Sequence, residues 1–132
     1  MEVGSGSQLE VDIPRHKQLR YITFYSVELK TPQGHEWSVD KRYNDFYHLN
    51  ESLKSKAFAS LPLLPPKTFF PVRDAKQLQR RKEDLANYLR ALTAREDILN
   101  SKEMVRFLEI DSHASEVLHR APKLVEQIDT ST

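Results

Sequence analysis

Residues 21–46 decide the fold and read YITFYSVELKTPQGHEWSVDKRYNDF. The first nine, Tyr21 to Leu29, are rich in the β-branched and aromatic residues that strands favour. A proline and a glycine within residues 31–34 suit a turn, and beyond it Trp37 and Val39 alternate with polar residues, the period of a half-buried strand. The stretch therefore predicts an antiparallel hairpin.

A third strand is predicted upstream of this hairpin. Leu9, Val11 and Ile13 alternate with polar residues, and Pro14 is expected to end the strand because proline donates no ladder hydrogen bond. The three strands together predict an antiparallel meander.

Downstream of the hairpin the apolar spacing becomes helical. Phe46, Leu49 and Leu53 recur every three to four residues and predict a helix over about residues 45–56, with Asn44 placed to cap its start.

Two more helices follow a proline-rich connection. Three prolines within residues 61–66 remove amide donors and favour an extended chain. Asp74 is placed to cap a second helix of about residues 75–94, and Asn100 with Glu103 has the spacing of a capping box that opens a third. The fold class is therefore α+β, a three-stranded antiparallel meander packed on a helical subdomain.

The composition limits the class of protein. The chain has 132 residues, which fits one domain with short tails and excludes a multidomain enzyme. It has no cysteine, no apolar stretch long enough to span a bilayer and no signal-peptide pattern at residues 1–7, which are expected to form a flexible leader. A cytoplasmic setting is the expectation.

The charge is unevenly distributed along the chain. The total is +1, but residues 41–90 hold eleven basic and five acidic side chains, a net +6, and the remainder carries −5. A basic middle between acidic flanks favours an anionic partner, whether a phospholipid, a nucleic acid or an acidic protein.

Two local features break the expected patterns. Arg81 lies about 40° from Leu85 on the wheel of the second helix, within the apolar stripe, whereas Arg80 lies about 140° away on the solvent side. Arg42 and Tyr43 stand where the third strand meets the first helix, and an arginine beside free helical amides suits an anion.

The segment after the proline run combines cations with apolar side chains. A stiff connection presents Lys67, and adjacent phenylalanines then occur in a predicted loop, which suits shallow insertion into an anionic bilayer. The proposed inserting residues are Phe69, Phe70 and Val72, and the supporting basic surface comprises Lys41, Arg73 and Lys76.

Three motifs in order resemble a phox-homology (PX) domain, the phosphoinositide-binding module of the sorting nexin type. They are KRYNDF at residues 41–46, LPLLPPK at residues 61–67 and RKEDLANYL at residues 81–89. The resemblance covers about residues 8–112 and implies a three-stranded sheet against a helical subdomain. Residues 113–132 are expected to be a tail or a linker helix.

The resemblance also implies a role for each matching residue. Arg42 would bind the 3-phosphate of phosphatidylinositol 3-phosphate, and Tyr43 would stack under the inositol ring. Lys67 would contact the phosphate that links inositol to glycerol, and Arg81 would bond the 4- and 5-hydroxyls. The expected function is recruitment of a parent protein to endosomal or vacuolar membranes as a peripheral protein, for trafficking or sorting.

Two alternatives stay open. Pro62 and Pro65 form a PxxP segment that an SH3 domain could bind, and the pocket could admit a bisphosphorylated phosphoinositide. The tail is a further expected contact for protein partners. Nucleic acid is disfavoured by a pI near 8.0. No enzyme, metal or cofactor pattern is present in the sequence: the five histidines lack ligand spacing, and no glycine-rich phosphate loop occurs.

Overall fold

The computed structural model describes residues 9–68 and 74–114. A sheet comes first and helices follow, as the α+β prediction requires. The strands are β1 (Glu10–Leu19), β2 (Ile22–Lys30) and β3 (Glu36–Arg42), and the helices are α1 (Tyr43–Ser55), α2 (Ala75–Thr93), α3 (Glu96–Leu99), α4 (Lys102–Leu108) and α5 (Ile110–His113).

The sheet is the predicted antiparallel meander, with β2 between β1 and β3. Its register places Phe24 opposite both Lys17 of β1 and Arg42 of β3. The end of β3 therefore lies at the same end of the sheet as the β1–β2 turn, and Trp37 lies towards the other end, opposite Leu29.

The prediction that Pro14 ends the first strand is wrong. β1 continues to Leu19, and its pairing with β2 shifts register between Asp12 and Arg15. Proline is tolerated there because β1 is an edge strand and a bulge leaves residues outside the hydrogen-bonded ladder.

The first helix begins earlier than predicted, and its cap is a different residue. Arg42 is the N-cap of α1, so Asn44 is already inside the helix. The Asp45 carboxylate accepts a hydrogen bond from the Arg42 backbone N–H at 2.9 Å, which satisfies the amide at the junction. The second helix follows the prediction, and Asp74 accepts from the Gln77 N–H at 3.2 Å.

The predicted third helix is α4, but its cap also differs. The Ser101 hydroxyl accepts from the Met104 N–H at 3.3 Å, whereas Asn100 ends the short helix α3 that precedes it. The sequence analysis did not predict α3 or α5, each of which has four residues.

The core lies between the inner face of the sheet and the helices. Trp37 closes one end of it, since its indole N–H donates to the Leu108 carbonyl at 2.8 Å and ties β3 to α4. The fully buried side chains include Val27, Phe46, Leu53, Leu85, Leu89, Leu92, Ile98, Met104, Leu108 and Ile110.

Over residues 9–68 and 74–114, none of the helices combines the length and hydropathy that crossing a bilayer requires. The expected leader, and the expected tail from residue 115 onward, lie outside the described residues.

Candidate functional site

The junction between β3 and α1 places the first two candidate residues. Arg42 ends the strand and Tyr43 begins the helix, so the two side chains project from consecutive positions where the first helical amides are free. The Arg42 backbone is fixed by Asp45, but its guanidinium forms no hydrogen bond or ion pair with any described residue. Within residues 9–68 and 74–114, the half-buried Arg42 side chain therefore has no partner for its charge.

The third candidate, Arg81, meets Tyr43 across the molecule. Its guanidinium carbon lies 4.3 Å from the centroid of the Tyr43 ring, a cation–π contact between α2 and the start of α1. Arg81 also donates from Nη1 to the Pro66 carbonyl at 2.6 Å. Arg81, which the helical wheel places within the apolar stripe of α2, thus lies against Tyr43 and the proline-rich segment.

The proline-rich connection completes the arrangement. The Tyr43 hydroxyl donates to the Pro65 carbonyl at 2.5 Å, so consecutive carbonyls of this segment accept from Tyr43 and Arg81. Lys67 follows Pro66 directly and is exposed. The fold thus brings together Tyr43, Arg81 and the segment that carries Lys67, with Arg42 adjacent to Tyr43 in the chain.

The hydroxyls of Tyr43 and of Tyr25, a buried tyrosine of β2, stay protonated at physiological pH. Burial raises the pKa of the Tyr43 hydroxyl, and the nearby Arg81 guanidinium partly offsets that rise. Burial likewise raises the pKa of the Tyr25 hydroxyl, and Arg81 again acts in the opposite direction. The Arg81 charge therefore acts on the hydroxyls of a tyrosine of the sheet and a tyrosine of α1.

The supporting cations do not share one environment. The Lys41 ammonium lies 4.8 Å from the centroid of the Phe107 ring, so its charge is directed at α4. Lys76 is exposed in the first turn of α2. The remaining members of the predicted membrane surface, Phe69, Phe70, Val72 and Arg73, lie outside the described residues.

Two basic residues near the site were missed by the sequence analysis. Lys82 is only 8% exposed, and His16 lies opposite Tyr25 in the β1–β2 pairing. Burial lowers the pKa of the His16 imidazole, and the positive charge of Lys82 lowers it further. The helical wheel that singled out Arg81 puts Lys82 about 60° from Leu85, so the same signal was available.

This arrangement suits an anion attached to a ring. It offers guanidinium and ammonium donors and an aromatic surface beside an extended segment whose own carbonyls are already engaged. The described residues contain no group of three or more metal-ligating side chains.

Comparison with known proteins identifies the family of this chain. A family model for the PX domain matches residues 29–111, more than half of the chain. The chain belongs to the PX domain family.

The chain is similar to several curated PX proteins. Sorting nexin-16 from Mus musculus is 34% identical over 91 residues, which are 68% of this chain and 26% of that protein. The PX domain-containing protein kinase-like protein from Rattus norvegicus is 33% identical over 79 residues, 60% of this chain and 13% of that protein. The chain thus spans about a quarter or less of these relatives.

Solved structures support the fold. A designed CISK-PX domain has a TM-score of 0.70 at 31% identity and covers 75% of this chain and 97% of its own. The mouse SNX19 PX domain with bound sulphate ion has a TM-score of 0.64 at 24% identity, with 77% and 97% covered, and shows the likeness of fold. PX domains generally bind phosphoinositides and target proteins to membranes, and they are not known as catalysts.

Proposed function

We propose that this domain recognises phosphatidylinositol 3-phosphate and recruits its parent protein to endosomal or vacuolar membranes for trafficking or sorting. The observation that carries the proposal is the guanidinium of Arg42, which has no partner among the described residues and stands next to Tyr43, whose ring contacts the guanidinium of Arg81. A planar fork of donors without a partner in the described protein suits a phosphate monoester.

Each of the four residues has a distinct proposed role. Arg42 binds the 3-phosphate, and Tyr43 supplies an apolar surface for the inositol ring. Lys67 is exposed at the end of the proline-rich segment and contacts the phosphate that links inositol to glycerol. Arg81 bonds the 4- and 5-hydroxyls. Its hydrogen bond to the Pro66 carbonyl holds the side chain in place, which lowers the conformational entropy that the side chain loses on binding.

Membrane association needs more than the headgroup. A hydrogen bond to a charged group contributes about 1.5–3 kcal/mol, so the site alone gives modest affinity. We propose that Phe69, Phe70 and Val72 insert into the interface, each phenylalanine adding about 1.5–3 kcal/mol, and that Arg73 and Lys76 add about 1 kcal/mol each on an anionic leaflet. Binding is then peripheral and weakens with salt.

The proposed lipid-binding unit comprises residues 8–112, with residues 1–7 as a leader and residues 113–132 as a tail or linker towards the rest of the parent protein. An SH3 domain that bound the PxxP segment would compete with the intramolecular contacts. The Pro65 carbonyl accepts from Tyr43, and Leu61 and Leu64 pack against the core. The lipid function is therefore favoured over the PxxP function.

The decisive experiment compares Arg42→Ala with Arg106→Ala, which removes an exposed arginine of α4. Vesicles of phosphatidylcholine and phosphatidylserine, with phosphatidylinositol 3-phosphate or with phosphatidylinositol, are sedimented with each protein. Arg42→Ala should lower affinity for the 3-phosphate vesicles at least tenfold and keep the wild-type thermal transition, whereas Arg106→Ala should stay within twofold of wild type. Unchanged binding of Arg42→Ala, or equal binding of wild type to both vesicles, would overturn the proposal.

A further inference from the structure

Three exposed apolar side chains collect at the tip of the β1–β2 hairpin. Among the described residues, large apolar side chains are exposed at five positions, and three of the five lie within residues 19–22, which we call the hairpin tip. Leu19 is 56% exposed, Tyr21 90% and Ile22 37%. Single apolar residues scattered over a surface are normal, whereas neighbouring ones indicate an interaction site.

The residues of the hairpin tip are not those that its turn favours. Arg20 and Tyr21 form a two-residue turn between the paired residues Leu19 and Ile22, and Arg20 has a φ of 59°. Glycine, asparagine and aspartate are the usual residues at such a position because most side chains crowd a left-handed backbone. The requirements of the turn therefore do not explain the arginine, and its exposure excludes core packing as an explanation for Tyr21.

The hairpin tip extends past the candidate headgroup residue Arg42. Arg42 pairs with Phe24, and Ile22 is two residues further along β2, so Ile22 and its partner Leu19 are expected on the same face of the sheet as Arg42. At about 3.4 Å per residue, the pair lies about 7 Å beyond the row that contains Arg42. A surface that presents a lipid headgroup to Arg42 from this end of the sheet therefore meets the tip.

The charge around the hairpin tip fits an anionic surface. Residues 15–25 include Arg15, Lys17 and Arg20 and no acidic residue. Arg15 and Lys17 pair with carboxylates of the sheet, whereas the exposed Arg20 forms no hydrogen bond or ion pair with a described residue. A second copy of the chain is a poor occupant, since a two-fold contact between tips would bring like charges of Arg20 together. Exposed apolar side chains beside an unpaired cation instead suit the headgroup region of a bilayer.

We infer that the hairpin tip is a second membrane contact, in which Leu19, Tyr21 and Ile22 enter the interfacial region of an anionic bilayer and Arg20 meets lipid phosphates. The inference rests on the proposed function and adds a contact that is separate in the sequence from residues 69–73. Because a headgroup contact alone leaves the domain free to tilt, a second contact restricts its orientation on the surface.

The first test removes exposed apolar surface from the tip. Wild type, Leu19→Ser with Tyr21→Ser, and Leu63→Ser are sedimented with vesicles of phosphatidylcholine, phosphatidylserine and phosphatidylinositol 3-phosphate, and calorimetry measures their affinity for inositol 1,3-bisphosphate. Leu19 and Tyr21 are mostly exposed, so the double variant should keep the wild-type thermal transition. It should lose at least tenfold in vesicle affinity and stay within twofold on the soluble headgroup. Leu63 is an exposed leucine outside the tip, and Leu63→Ser should match wild type in both measurements.

The second test locates the tip relative to the lipid. The chain has no cysteine, so an introduced cysteine carries a nitroxide label at one site only. Tyr21→Cys places the label at the tip, and Gln33→Cys places it at an exposed position between β2 and β3, at the other end of the sheet. When the same vesicles are added, the label at position 21 should become shielded from a water-soluble nickel chelate and more accessible to oxygen. The label at position 33 should keep its accessibility to both.

The outcomes separate the inference from the proposed function. Wild-type vesicle affinity in the double variant, equal losses on vesicles and soluble headgroup, or equal chelate accessibility of the two labels on vesicles would overturn the inference and leave the proposed function standing. Self-association of wild type that the double variant lacks, with unchanged vesicle affinity, would also overturn it and assign the tip to contacts between copies. Equal binding of wild type to vesicles with phosphatidylinositol 3-phosphate and with phosphatidylinositol would instead overturn the proposed function and the inference that rests on it.

Discussion

Arg81 and Tyr43 form one unit, with the guanidinium carbon of Arg81 4.3 Å from the centroid of the Tyr43 ring. Each also donates to a carbonyl of the proline-rich connection, Arg81 to Pro66 and Tyr43 to Pro65. The contact joins α1, α2 and the segment between them. Substitutions at these two residues consequently separate the role of each group in stability from its role in binding.

Arg81→Lys is expected to weaken headgroup binding although the charge is kept. A lysine ammonium lacks the planar fork that bonds the Pro66 carbonyl and a ligand hydroxyl together. We expect affinity for inositol 1,3-bisphosphate to fall about tenfold by calorimetry, from the loss of one charge-assisted hydrogen bond. Arg80→Lys, on the exposed side of the same helix, is the matched control and should bind as wild type does. Equal affinities for the two variants would remove Arg81 from the site.

Tyr43→Phe is expected to affect stability more than binding. The substitution removes the hydroxyl that donates to Pro65 and keeps the ring under Arg81. The free energy of unfolding in urea should fall by about 1 kcal/mol, the usual net value of one hydrogen bond. Tyr47→Phe, at an exposed position of α1, serves as control and should change the unfolding midpoint little. A tenfold loss of headgroup affinity in Tyr43→Phe with unchanged stability would contradict this assignment.

The combined substitution Phe69→Glu with Phe70→Glu is expected to separate membrane insertion from headgroup recognition. Losing two inserted phenylalanines should weaken vesicle binding more than a hundredfold, since each contributes about 1.5–3 kcal/mol. Affinity for the soluble headgroup should stay within twofold. Leu63→Glu provides the control, because Leu63 is 92% exposed in the proline-rich connection and is not among the proposed inserting residues. Equal losses in both measurements would mean that the phenylalanines belong to the core.

Lys41 and Lys76 are expected to differ in their contribution to vesicle binding. Lys76 is exposed on the first turn of α2, and its change to methionine should lower affinity for anionic vesicles about fivefold at low salt, the equivalent of about 1 kcal/mol. Lys41→Met should lower it less than twofold because the ammonium is directed at Phe107. Sedimentation at two salt concentrations measures both effects. A larger loss for Lys41→Met than for Lys76→Met would mean that Lys41 belongs to the membrane-binding surface.

Local patterns in the sequence predicted the meander and the second helix because both depend on short-range chemistry. Alternation around Val39 and the cap at Asp74 act within a few residues. Pro14 was misjudged because its tolerance depends on β1 being an edge strand, which only the assembled sheet determines. Asn44 was misjudged because Asp45 satisfies the first amide from inside the helix.

The candidate site was predictable in part for the same reason. Arg42 and Tyr43 mark a junction that the change of period locates, and Arg81 stands out on its helical wheel. Their meeting with the carbonyls of Pro65 and Pro66 depends on how three elements pack, which no local pattern contains. His16 pairs with Tyr25 because the register of β1 shifts after Asp12, and the local sequence pattern could not predict that pairing either.

The same shift in β1 has a consequence for whether two copies of the domain can pair through this edge. A free edge strand invites pairing with the edge of another molecule, and proline, bulges and charged side chains oppose that pairing. β1 has all three, in Pro14, the shift after Asp12 and the exposed Arg15 and Lys17, and Arg90 of α2 donates to the Val11 carbonyl at 2.8 Å. Two molecules held side by side are therefore discouraged from joining their sheets through β1.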